Sequence, residues 1–236
     1  MKKKIVITGG TGRFGQILKG IKTNHRTFFP KKKELDILSI KKIQKYLNKI
    51  KPHILIHSAG LSRPMKVHDE EIKKSIDLNI IGTANITKAC SEKNIKLIYL
   101  SSAYVYPGKK GNYSEKDGLL PSNNYAWSKL GGEAAVQMYK NSLILRMSMT
   151  ERPFIHKVAF TNVKTSFIYH DEAAKILFKL LNYRGVINVG GKCQSVFNFV
   201  KKENNQIKKS FLKKTRRNLM PINSTMRTSK LKKILK

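Results

Sequence analysis

Short runs of β-branched and aliphatic residues alternate along this chain with stretches whose apolar positions recur every three or four residues. Ile5-Val6-Ile7, Thr27-Phe28-Phe29, His53–His57, Lys96–Leu100, Ser142–Arg146 and Gly185–Val189 read as strands. Between them, Phe14–Ile21, the face formed by Ile40, Ile43, Leu47 and Ile50, a long stretch from Glu70 to Asn94, and a run from Tyr125 through Ala135 read as helices. Pro52 ends the second of these. Near-continuous apolar strands separated by helices predict an α/β fold of the Rossmann type, a doubly wound parallel sheet covered on both faces.

The first predicted strand runs straight into Thr8-Gly9-Gly10-Thr11-Gly12-Arg13-Phe14-Gly15. Glycines three apart between a strand and a helix form a cradle for a pyrophosphate. Gly9 permits the turn, Gly12 lets the backbone approach the phosphates, and Gly15 lets helix and strand pack closely. Amides at the start of the following helix then face the negative charge. Lys31-Lys32-Lys33 follow the second strand, where an acidic residue would meet a free ribose 2′-hydroxyl. Lysines there suit a 2′-phosphate and favour NADP over NAD, although ordinary surface lysines in a lysine-rich chain account for them equally well.

Composition changes this picture little. The 236 residues fit one α/β domain with a small appendage, and 40% hydrophobic content is enough for a buried core. The apolar run after Met1-Lys2-Lys3-Lys4 is too short for a secretory signal, and no stretch has the length of a membrane span. Cys90 and Cys193 show neither metal-ligand spacing nor a disulfide framework, which points to a reducing, cytoplasmic setting. No metal site is expected, since His156 and His170 have no ligand spacing either. The net charge of +34 raises the question of nucleic acid. Its carriers are mostly lysines spread through nearly every segment without basic–aromatic interleaving. We therefore expect no specific nucleic-acid partner, while anionic small molecules such as nucleoside diphosphates are attracted.

The stretch that bears chemistry is Tyr125-Ala126-Trp127-Ser128-Lys129. Residues four apart share a helix face, so the spacing sets a phenol beside an ammonium. A nearby cation favours the phenolate and brings a group with a pKa of about 10 closer to proton transfer at neutral pH. A hydroxyl from Ser101-Ser102, at the end of the Lys96–Leu100 strand, completes a set able to hold a substrate oxygen and protonate it. His57 at a strand end reads as structural.

Taken together, Thr8–Gly15, Ser101–Tyr106 and the Tyr125/Lys129 pair resemble the extended short-chain dehydrogenases/reductases. The resemblance is closest to the dTDP-4-dehydrorhamnose reductase branch of nucleotide-sugar enzymes. Glu34–Ile37, Lys51–Gly60, Tyr104–Glu115, Ser128–Glu133 and Thr228–Leu231 carry that closer likeness. The resemblance implies that Ser102 polarises the substrate oxygen, that Tyr125 is the general acid/base, and that Lys129 tunes the tyrosine and binds the nicotinamide ribose. It places Asp36 at the adenine and Ala59 and Gly60 against the cofactor on the fourth strand. Asn79 supports the site lysine or, equally, partners an N–H at a helix kink. Tyr104 falls on the substrate side.

The same comparison implies a Rossmann core over residues 1–146 that ends in a sixth strand, Ser142–Arg146. A substrate-pocket excursion follows over 147–166, then a return to the core over 167–191, and a basic, helical, shortened substrate region over 192–236. Arg146 and Arg152 are candidates for a diphosphate, Arg152 the better one, with a surface role open for it as well. Asp171 reads as a helix N-cap. Ala103 departs from the branch, where an aspartate often follows the catalytic hydroxyl residue, and this brings in an epimerase or dehydratase using NAD as an alternative.

The expectation is an NADP-dependent reductase of a nucleotide-linked 4-keto-6-deoxy sugar, with a nucleotide-sugar substrate and a possible homodimer. A third alternative is a cofactor-binding regulatory protein without catalysis.

Overall fold

The computed structural model describes residues 2–213 and 220–236. β1 (Lys4–Thr8) is followed by α1 (Arg13–Lys19), β2 (Arg26–Phe28), α2 (Ile40–Ile50) and β3 (Ile54–His57). Two short helices, α3 (Val67–Glu70) and α4 (Ile72–Ile76), then a π-helical turn (Asp77–Ile81), lead into α5 (Gly82–Glu92) and β4 (Lys96–Ser102). After a 3₁₀ turn at Ala103–Val105 come α6 (Asn124–Gln137) and β5 (Ser142–Met147). The chain then leaves the sheet through β6 (Met149–Thr150), β7 (Val158–Phe160), β8 (Lys164–Thr165) and β9 (Ile168–Tyr169). It returns by α7 (His170–Lys179) and β10 (Gly185–Val189), and continues as β11 (Gln194–Ser195), α8 (Val196–Val200), β12 (Lys208–Ser210) and α9 (Ser229–Leu235).

Six parallel strands form the central sheet in the order β10-β5-β4-β3-β1-β2. Their side chains alternate between two cores. Ile5, Ile7, Ile54, Ile56, Ile98 and Leu145 pack with Phe14, Leu18, Ala173, Leu177 and Leu231 on one face. Val6, Leu55, Leu97, Tyr99 and Ile144 pack with Ile43, Leu47, Ile86 and Val136 on the other. This is the doubly wound sheet expected from the pattern. Its strand order reverses between β1 and β3, and in such sheets ligands bind at the carboxyl ends of the strands flanking that switch point.

Several local expectations change. Ser142–Met147 is the fifth strand, not the sixth, and Ala59 and Gly60 follow the third, not the fourth. No strand forms between β2 and α2, because Pro30–Ser39 is taken up by turns in which Glu34 Oε2 accepts the Lys31 amide at 2.8 Å. The helical region expected over Glu70–Asn94 forms, running without a gap from Ile72 to Glu92 after a single break at Glu71, with a π turn inside it. At its centre the Asn79 side chain bonds to both backbone groups of Leu61, accepting from N at 2.7 Å and donating to O at 2.9 Å, and the wider π turn lies at that point.

Asp171 is not an N-cap. Tyr169 holds that position, and its amide donates to Glu172 Oε2 at 3.2 Å. The expected helical segment 192–236 contains only α8 and α9 as helices within its described part, because β11 and β12 pair with β8 and β7 instead. Residues 214–219 of that segment lie outside the described residues. Among the described residues no helix is long and apolar enough to cross a membrane, and no cluster of three or more His, Cys, Asp or Glu side chains could hold a metal ion.

Candidate active site

At the switch point the backbone is built for close approach. Gly9 adopts φ +76°, and a Cβ there would lie 2.6 Å from the Ala59 amide nitrogen, so only glycine lets the turn after β1 nest against the end of β3. A Cβ at Gly15 would strike the Gly9 carbonyl oxygen. Gly12 is the N-cap of α1 and brings no side chain to the first-turn amides. Thr8 Oγ1 accepts the Ser58 and Ala59 amides, both at 3.2 Å, and ties the two strand ends together. Ala59 and Gly60 therefore lie against the same turn as Gly9, Gly12, Arg13 and Gly15, while the Phe14 side chain is buried in the core edge-on to His170. This glycine cradle fits an extended dinucleotide phosphate. Lys32 and Asp36 stand beyond the end of β2, with Asp36 Oδ1 accepting the Leu38 amide at 3.0 Å and Lys32 exposed.

His57 closes the floor of the crevice. It is buried, with Nδ1 2.9 Å from Thr8 Oγ1 and Nε2 3.1 Å from Thr83 Oγ1, and burial pulls its pKa down to about 3. The ring is thus neutral and structural.

The second wall comes from β4 and α6. Asn123 Oδ1 accepts the Ala126 amide at 2.9 Å and caps α6 where Tyr125 enters its first turn. The Ser102 hydroxyl, at the end of β4, is near enough to the Tyr125 phenol to lower its pKa. Ser102 Oγ also accepts the Tyr104 amide at 3.2 Å, which fixes the 3₁₀ turn that follows. The Tyr104 ring meets the Tyr125 ring edge-on with centroids 6.3 Å apart, and the His68 ring does so at 5.1 Å. One turn after Tyr125, Lys129 Nζ lies 4.3 Å from the Tyr99 ring centroid. Asn79 Nδ2 donates to Ser128 Oγ at 2.8 Å, bracing the helix beside Lys129 rather than the lysine itself.

Electrostatics here differ from the simplest reading of the tyrosine–lysine spacing. Burial raises the phenol of Tyr125, while the Ser102 hydroxyl and the positive charge of Arg63 pull it back. The leading cation acting on the phenol is therefore Arg63, on the loop after β3. Burial draws Lys129 itself down to about 7, against the negative charge of Glu133, which holds it up.

The structure does not bring every expected residue to this place. Arg146 is buried, with Nε and Nη2 donating to Glu133 Oε1 at 3.0 and 2.6 Å, so it is not free for a diphosphate. Arg152 has its guanidinium against Asp171 (3.4 Å) and Glu203 (2.9 Å), with its centre 4.1 Å from the Tyr169 ring centroid. Arg63, Glu133 and Glu151 entered no sequence expectation about the site. Their long-range partners leave no periodic signal, although the spacing of Tyr125, Lys129 and Glu133, four residues each, already put all three on one helix face.

Comparison with known proteins settles the family. The model of the RmlD substrate-binding domain matches residues 2–150. The chain belongs to that family. Among curated proteins, this RmlD-family chain is similar to methionine adenosyltransferase 2 subunit beta of Pongo abelii, 30% identical over 143 residues, covering 57% of this chain and 42% of the relative. It is also similar to dTDP-4-dehydrorhamnose reductase of Mycolicibacterium smegmatis, 28% identical over 140 residues, covering 58% and 42%. The match thus spans less than half the length of these relatives. Among solved structures, the dTDP-4-dehydrorhamnose reductase of Bacillus anthracis in complex with NADP superposes with a TM-score of 0.83 at 24% identity, covering 98% of this chain and 91% of that one. The Bordetella bronchiseptica enzyme WbmG in complex with NAD gives 0.77 at 17% identity, covering 99% and 87%. Both share the fold.

Proposed function

We propose that the chain is an NADP-dependent reductase of a nucleotide-linked 4-keto-6-deoxy sugar, with Ser102, Tyr125 and Lys129 as its working side chains. The observation that carries this reading is the Ser102 hydroxyl, at the carboxyl end of β4, acting on the Tyr125 phenol and lowering its pKa, with Lys129 one turn along the same helix. A relative named dTDP-4-dehydrorhamnose reductase and a fold neighbour of that name crystallised with NADP support the choice of reaction and cofactor.

The glycine turn with Arg13 and Phe14 holds the cofactor's pyrophosphate, Ala59 and Gly60 take its flat surface, and Lys32 and Asp36 meet the adenosine end. Asn79 contributes by bracing Ser128 and Leu61 around that surface. When bound, the reduced dinucleotide supplies the hydride to the ketone carbon. Ser102 donates a hydrogen bond to the ketone oxygen, and Tyr125 transfers its phenolic proton to that oxygen as it becomes a hydroxyl. The proton lost leaves a phenolate, which the cations of Lys129 and Arg63 stabilise until solvent reprotonates it. Tyr104 faces the sugar nucleotide, whereas Arg152 is engaged by Asp171 and Glu203.

In this proposal residues 1–146 and 167–191 serve the cofactor, and 147–166 and 192–236 serve the substrate. The test is incubation with NADPH and a panel of nucleotide-linked 4-keto-6-deoxy sugars, following loss of the reduced cofactor. Oxidation with at least one member is expected, and its absence with all, from protein that binds NADPH, removes the reading.

A second reading follows from the relatives named methionine adenosyltransferase 2 subunit beta. Here the same cofactor-binding fold acts as a regulatory subunit assembling with a methionine adenosyltransferase. Co-sedimentation with that enzyme, promoted by NADP, with no turnover of any keto sugar, is the outcome this reading requires.

A further inference from the structure

A buried polar cluster lies beneath the site, and its centre is Glu133. Tyr125, Lys129 and Glu133 follow one another at single-turn intervals along one face of α6. The carboxylate of Glu133 is 1% exposed and has both oxygens engaged. Oε1 accepts two bonds from Arg146, and Oε2 accepts the Ser101 hydroxyl at 2.5 Å. Ser101 and Arg146 are cross-strand partners in the β4–β5 ladder, and Ser102 is the next residue of β4. One carboxylate thus joins the helix carrying Tyr125 and Lys129 to the strand end carrying Ser102.

We propose that Glu133 is a positioning residue for the Ser102–Tyr125–Lys129 set. Its bond to Ser101 fixes the strand end against α6, and its negative charge, one turn from Lys129, keeps that ammonium protonated. The inference rests on the proposed reductase reading for its catalytic meaning, but its physical content is separate.

The direction of the charge effect is set by what faces Lys129. Tyr99 on β4 offers its ring, His57 on β3 and His68 on α3 are neighbours held neutral by burial, and Tyr125 on α6 is a protonated phenol. Of these groups and Glu133, only Glu133 carries a negative charge, and it favours the protonated lysine. Burial favours the neutral amine.

The test is ¹³C NMR of the full chain after reductive ¹³C-dimethylation of its lysines. In the wild type one resonance titrates near 7 and disappears in Lys129→Arg. A second low resonance, from Lys96 near 8, disappears in Lys96→Arg. In Glu133→Gln, which keeps the shape of the side chain, the Lys129 midpoint falls by about one pH unit. Glu133→Gln/Arg146→Met, which leaves no unpaired buried charge, gives the same downward direction. The alkaline limb of kcat/KM moves down with it while KM for NADPH stays unchanged. A Lys129 midpoint unmoved in both folded variants, or a wild type with no lysine titrating near 7, overturns the proposal. A moved midpoint in a protein that turns over no keto sugar sinks the reductase reading and leaves the positioning role standing.

Discussion

Arg63 donates from Nη1 to both oxygens of Glu151, at 2.9 and 3.1 Å, and so bridges the loop after β3 to the chain just beyond β6. Arg13, the first residue of α1, approaches the same carboxylate at 3.4 Å. One acid therefore neutralises two guanidinium groups at the edge of the glycine cradle, and one of these, Arg63, also acts on the Tyr125 phenol. Glu151→Gln is expected to free both for an anionic cofactor and to tighten NADPH binding several-fold. A gain of about 0.5–1 kcal/mol is the scale of a partly exposed ion pair. Isothermal calorimetry at low salt checks this, and unchanged or weaker binding contradicts it.

Acid should destabilise the fold through His57. Its folded pKa of about 3 lies below the ordinary value of 6.5 because protonation inside the β1–β3 floor is opposed by burial and by the nearby Lys129 charge. Between those two values the unfolded chain binds a proton that the folded chain refuses, so stability rises with pH across this window and is lost as pH falls through it. The contribution is about 4–5 kcal/mol when the whole window is crossed. Chemical denaturation from pH 7 down to 4 should show falling stability. A His57→Gln variant, less stable at pH 7, should show a shallower decline.

The buried Glu133–Arg146 pair makes a different prediction about stability. Removing one partner strands a charge in the interior, so Arg146→Met should cost about 3–5 kcal/mol. Glu133→Gln/Arg146→Met should recover most of that loss, because no bare charge remains. Thermal unfolding of the two variants side by side decides the matter. Equal losses would mean that packing, not charge, dominates there.

The parts of the molecule legible in its sequence are those whose signal is local. Ile5-Val6-Ile7 followed by glycines three apart specifies a buried strand and a tight turn within a dozen residues, and both formed. Ile43 and Leu47 mark the buried side of α2 by spacing alone. Where long-range partners decide, the sequence is silent. The helical region read over Glu70–Asn94 formed, but the π turn inside it lies where Asn79 bonds to Leu61, eighteen residues away, and nothing in the local pattern marks it. Arg146 read as a phosphate ligand because its buried acid, Glu133, lies on another element. Lys208–Ser210 became a strand only through its partner Val158–Phe160. The tyrosine–lysine spacing was visible, but the cation that most affects the phenol, Arg63, sits on a loop with no pattern of its own.

Burial draws Lys129 down to about 7, so a reaction that needs its ammonium should lose kcat/KM as pH rises through that region. Rates measured from pH 6 to 9 with the preferred substrate should describe a falling alkaline limb. A flat profile would mean that the lysine acts without its charge.

The central claim is that the phenol of Tyr125 delivers the proton to a substrate oxygen held by Ser102. The measurement that bears on it most directly pairs NADPH oxidation with NADPH affinity for Tyr125→Phe and the wild type, using the best nucleotide-linked keto sugar. Turnover should fall at least a hundredfold, about the contribution of one positioned acid, while affinity for NADPH changes less than twofold. Turnover that survives the loss of the hydroxyl, or affinity that collapses with it, would contradict the account.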